Sequence, residues 1–125
     1  MAGDKKPYKK KLGAWGEECA CTYLVNEGIQ IVERNARTPF GEIDIVGRQN
    51  DLFIFIEVKT RSSIRSGYPE EAITTEKIRH MDESINWYLE NHPEIKDKWR
   101  VDVISIVGGP GSNTSPKIQW WQNEF

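Results

Sequence analysis

Two pairs of residues have the types and spacing to do chemistry: Glu42 with Asp44, and Glu57 with Lys59. Residues two apart in a strand project from one face. Glu57 and Lys59 end the unbroken apolar run Leu52-Phe53-Ile54-Phe55-Ile56, which suits a central strand covered on both faces. Glu42 and Asp44 alternate with Ile43 and Ile45, which predicts the acids on one face of the preceding strand and the isoleucines on the other. The polar turn Arg48-Gln49-Asn50-Asp51 makes the two strands antiparallel neighbours. A register that sets Asp44 opposite Phe55 or Glu57 brings Asp44, Glu57 and Lys59 onto one face within about 5–8 Å. A slip of one residue separates them.

Two carboxylates held that close repel, and one takes up a proton unless a cation sits between them. Oxygen-only ligands favour a hard divalent ion, Mg2+ or Mn2+, held by one or two carboxylates and water. A lysine beside them can orient or deprotonate a water, or neutralise charge that develops on a phosphate. Metal-assisted attack of water on a phosphodiester uses this set of parts. A solvated ion pair at a sheet edge accounts for any one of the four residues. Their conjunction at the end of a fully apolar strand favours a functional site.

The remaining chain supplies the elements that must position this set. Leu12, Trp15, Gly16, Cys19, Ala20, Tyr23 and Leu24 recur at helical spacing, and Gly28 is a natural stop. Ile29 opens a strand running toward Arg37, and Thr38-Pro39-Phe40-Gly41 reads as a turn. After a polar connection from Ser62 to Pro69, Ile78, Met81, Ile85, Tyr88 and Leu89 form the apolar stripe of a second helix, ended by Asn91-His92-Pro93. Trp99 to Val107 is a further strand, Gly108 to Pro116 a loop, and Lys117 to Trp121 a last short strand. The order is helix, three strands, helix, two strands, which predicts an α/β domain: a mixed sheet with helices packed on it. Residues 1–12 read as a basic flexible arm and 13–125 as one domain.

Charge weighs against a dedicated nucleic-acid binder, because the net charge is −2. Setting aside Lys5, Lys6, Lys9, Lys10, Lys11 and Asp4 leaves 12 basic against 18 acidic residues, or −6. Such an acidic body can still bind a polyanion where its cations cluster and a metal offsets the acids. Cys19 and Cys21 point to different sides of the predicted helix and form no ligand set with His80 or His92, so they read as packing residues in a reducing compartment. With no apolar run near the roughly 20 residues of a membrane span, and no secretory signal, the expected location is the cytoplasm.

Gly41-Glu42-Ile43-Asp44 followed by Phe55-Ile56-Glu57-Val58-Lys59-Thr60-Arg61 resembles the signature of the PD-(D/E)xK nuclease superfamily. Within it the chain resembles the YraN-like family of small bacterial proteins, through Gly13-Ala14-Trp15-Gly16-Glu17, Arg34-Asn35-Ala36-Arg37 and Arg100-Val101-Asp102-Val103. The resemblance implies a restriction-endonuclease-like α-β-β-β-α-β core, similar to that of archaeal Holliday-junction resolvases. It implies a metal site of Glu17, Asp44 and Glu57, with Lys59 completing the catalytic set and Glu42 in a less defined role. The activity implied is Mg-dependent endonucleolytic hydrolysis of DNA, on branched or damaged structures. The alternative is a nucleic-acid-binding module that keeps the fold without the chemistry.

Arg34, Arg37 and Arg61, with Arg65 and Arg100, flank the acidic strands and could form a local positive rim; Lys77, early in the second helix, could touch a phosphate. Surface ion pairs explain them equally well. Arg100 and Asp102 share a strand face and can pair. Trp120, Trp121 and Phe125 could stack bases, although packing or a dimer contact is the commoner fate of such aromatics. A homodimer would suit a two-fold symmetric substrate.

Overall fold

Leu12, Gly16, Ala20 and Leu24 recur four apart and are buried, so the first helix has one continuous inward stripe. In the computed structural model, which describes residues 5–63 and 74–123, this helix α1 runs Lys5–Asn26. It therefore takes in residues 5–12, which the sequence assigns to a basic arm. Lysine is a good helix former, and buried Leu12 ties that stretch to the domain. The helix closes on Gly28 at φ +89°, with Ile29 N–H donating to Leu24 O (2.9 Å) and Gly28 N–H to Val25 O (3.0 Å). This paired arrangement needs a left-handed residue and directs the chain at once into the sheet.

Strands β1 (Gln30–Thr38), β2 (Gly41–Gln49) and β3 (Leu52–Arg61) follow as an antiparallel meander. Helix α2 (Thr75–Asn91) and a single 3₁₀ turn (Pro93–Ile95) lead to β4 (Trp99–Val107), parallel to β3, and β5 (Lys117–Trp121) closes the sheet antiparallel to β4. The strand order is β1-β2-β3-β4-β5, a mixed α/β sheet that begins with the expected α-β-β-β-α-β core. Burial runs through both faces of β3: Ile54, Ile56 and Val58 pack with Ala20, Cys21 and Leu24 of α1, while Phe55 packs with Ile85 and Tyr88 of α2. That is why its sequence is continuously apolar.

Strict alternation along β2 fails at one place. Ile43 enters the core beneath α2 and Ile45 the core beneath α1, although they are two residues apart. Their partners in β1 diverge in the same way, since Arg34 reaches Glu18 on α1 and Ala36 enters the core beneath α2. Between them Asn35 holds a left-handed φ of +52°. One such residue breaks the period-two rule and turns the ribbon over locally. The expectation that Ile43 and Ile45 share a face is corrected accordingly, and Asp44 sits at the crossover.

Candidate active site

The β2–β3 ladder ends at Ile45↔Ile56, but β1–β2 pairing continues to Thr38↔Gly41 and β3–β4 pairing to Arg61↔Val107. The sheet therefore divides beyond Ile45 and Ile56, and the next residues on each side of the notch are Asp44 and Glu57. The Val58 N–H, freed from the ladder, donates to Asp44 Oδ2 at 2.8 Å. Lys59 Nζ lies 2.8 Å from Glu57 Oε1, both side chains being largely buried at 12 % and 16 % exposure. The register that the sequence left open is thus the one that brings Asp44, Glu57 and Lys59 together.

The electrostatics follow from this geometry. Burial, then the charge of Glu57, push the Asp44 carboxyl up to about 8, against the opposing pull of the Val58 N–H. Burial lowers the Lys59 ammonium, but the charge and hydrogen bond of Glu57 outweigh it, and Lys59 ends above the usual lysine range. Lys77 reaches the same cluster from the first turn of α2, where Thr74 caps the helix by accepting the Lys77 N–H at 3.2 Å. Its hydrogen bond with Lys59, then burial, hold its ammonium below the usual range. Glu17 of α1 is raised, chiefly by burial; a hydrogen bond with Asn35 opposes the shift, and the charges of Glu42 and Glu57 add to it. Gly16 allows this approach, because a Cβ there would fall within 2.9 Å of Thr60 Cβ and Cγ2 on β3.

The other expected site residues lie farther from the centre. Glu42 is half exposed and pairs with Arg37 at 3.6 Å, yet lines one cavity with Glu57 and Lys77. Arg34 is held by Glu18 at 2.8 Å. Arg61 is partly buried, its carbonyl accepting the Gly108 N–H at 2.9 Å. Arg100 pairs with fully buried Asp102 at 3.0 Å, and Trp120 donates to the same carboxylate at 2.8 Å while meeting Tyr23 edge-on. Arg100 and Trp120 are thereby engaged in packing. Arg65 and Phe125 lie outside the described residues. The sequence reading names Asn35 only within a motif and gives it no role; an asparagine inside a strand, the residue type most at ease in left-handed backbone after glycine, is the signal that could have found its turn.

Among the described residues, no three Asp, Glu, His or Cys side chains form a metal cage. Glu17 stands beside Asp44 and Glu57 in the same acidic field without closing one. The donor chemistry nonetheless fits a hard divalent ion: two adjacent carboxylates, one driven toward protonation by burial and by the charge of the other, are what a cation between them relieves. An ion held by one or two carboxylates, water and substrate oxygens needs no all-protein cage.

Fold and cluster together define a class: a small α/β domain whose acid–lysine site lies where the central sheet divides. The chain belongs to the uncharacterised protein family UPF0102, whose model matches residues 16–106. That span includes Glu17, Asp44, Glu57, Lys59 and Lys77. A UPF0102 protein of Syntrophomonas wolfei is 42% identical over 104 residues, covering 83% of this chain and 90% of that one. One from Syntrophotalea carbinolica is 45% identical over 95 residues, covering 76% and 77%. Among the described residues no helix is long and apolar enough to cross a membrane.

Proposed function

We propose that this chain is a metal-dependent endonuclease that hydrolyses phosphodiester bonds of DNA, acting on branched or damaged structures in the cytoplasm. The observation that carries the proposal is the meeting of Asp44, Glu57 and Lys59 in the notch between β2 and β3. Asp44 and Glu57 would hold Mg2+ or Mn2+, which supplies Lewis acidity and a water of lowered pKa when bound. Val58 N–H fixes one Asp44 oxygen, leaving the other to the ion. Lys59, kept protonated by Glu57, is suited to neutralising charge on the phosphate rather than to taking a proton from water. Lys77 adds a second nitrogen on the same side, hydrogen-bonded to Lys59. Glu17 can orient water at the rim of the acidic field.

A second reading, a binding module without chemistry, draws support from the engagement of Arg34 and Arg37 with acids and from the net charge of −2. Calorimetric titration of Mg2+ and Mn2+ into the native chain and Asp44→Ala separates the two, with cleavage of single-stranded, duplex and branched DNA and of RNA alongside. A nuclease binds metal natively, loses it in Asp44→Ala, and cuts only when metal is present. Lys59→Ala should keep metal binding but lose roughly 10²–10³ in cleavage rate. No metal binding by the native protein would remove the catalytic assignment.

A further inference from the structure

A cavity of about 180 Å³ opens directly beside Glu57. Lys77 and His80 of α2 supply its nitrogen-bearing polar side, and Phe40 and Met81 supply an apolar one. Phe40 is 46% exposed, whereas Trp15, Tyr23, Phe53, Phe55, Tyr88 and Trp120 are buried or partly buried. The Phe40 ring lines the cavity that Glu57, Lys77 and His80 share, so a flat apolar face could pack on it there.

Phe40 is also held in place. It sits in the β1–β2 turn, where Thr38 Oγ1 accepts the Phe40 N–H at 3.1 Å and donates to Gly41 O at 2.7 Å. The same hydroxyl is hydrogen-bonded to Ser84 Oγ of α2 at 3.0 Å, which ties the turn to the helix carrying Lys77 and His80. The ring, the Lys77 and His80 side chains and Glu57 are therefore parts of one wall.

We infer that the substrate presents an unpaired nucleotide at this site, its base stacking on Phe40 while Lys77 and His80 hold the adjoining phosphate. In continuous duplex the faces of the bases are covered by their neighbours, so an aromatic wall gains contact only with a base that has left the stack. Phe40 is thus a specificity-determining residue that favours single-stranded, gapped or flapped DNA over intact duplex. The inference rests on the nuclease assignment and identifies the substrate class of that same site.

The test is fluorescence anisotropy of Asp44→Asn chains carrying Phe40, Phe40→Ala or Phe40→Trp, with magnesium present. Labelled oligonucleotides of one length serve as probes: single-stranded, duplex with a one-nucleotide gap, and continuous duplex. Cleavage of the same three by chains with native Asp44 is read in parallel. The ratio of gapped to continuous-duplex affinity should fall roughly tenfold in Phe40→Ala and be recovered in Phe40→Trp. A loss equal on all three probes, or none, overturns the stacking role, and the nuclease assignment stands if cleavage persists. Failure of the Phe40 chains to bind or cut any probe overturns both.

Discussion

Asp44 carries the strongest electrostatic consequence of the site. Its folded value of about 8 lies above the ordinary 3.8, so folding takes up a proton between those limits. The stabilisation is complete below the lower value and is lost as pH rises through the upper one. Metal-free protein should therefore lose stability from about pH 4 to 8 and then level off. Asp44→Asn mimics the protonated acid: its amide oxygen can accept the Val58 N–H and its NH2 can donate to Glu57. The variant should flatten the pH profile and be more stable than the native chain at pH 8, read by denaturant melts with chelator present. Metal affinity should run the other way, rising about tenfold per pH unit below the Asp44 value as the ion displaces the proton. A pH-independent melt in the native chain would show that the two carboxylates do not interact as the geometry requires.

The elements create the notch by failing to stay together. β2 remains with β1 and β3 with β4, and the two pairs part after Ile45 and Ile56. α1 crosses close to β3 because Gly16 has no side chain to meet Thr60. Gly16→Ala must push the helix away or displace Thr60, at a cost of about 1–3 kcal/mol despite alanine's better helix propensity. Since Glu17 is the next residue, the displacement should also change the metal response. Thermal denaturation of the variant with and without Mg2+ reads both effects. An increase in stability would mean that the helix does not approach β3 as described.

The domain as a whole rests on two apolar layers, one beneath each helix, and on one buried polar cluster that fastens its far edge. Asp102 is fully buried and accepts from Arg100 Nε (3.0 and 3.2 Å), Trp120 Nε1 (2.8 Å) and Asn123 N–H (2.8 Å). It thereby joins β4, β5 and the turn that follows. Asp102→Ala strands the Arg100 guanidinium and leaves the Trp120 and Asn123 donors without their acceptor, costing roughly 3–5 kcal/mol. Because Asp102 lies outside the notch, the variant should keep the native metal affinity per folded molecule. A metal defect equal to that of Asp44→Ala would place Asp102 in the site instead.

By itself the sequence determined the elements, their order, and the two acid-bearing segments. These are written in local patterns: the stripe of α1, the continuous apolar run of β3, the turns at Phe40 and Asn50. Side-chain spacing within one element follows from backbone geometry, so Glu57 and Lys59 could be paired in advance. The relation between elements could not be read this way. Only the tertiary structure decided that Asp44 meets Glu57, because register depends on where two separate ribbons stop pairing. It also overruled the alternation of Ile43 and Ile45, since one left-handed residue, Asn35, turned the strand over. It drew Lys77 in from a distant helix and turned Trp120 inward while leaving Phe40 bare, because burial is a property of packed surfaces and not of residue type.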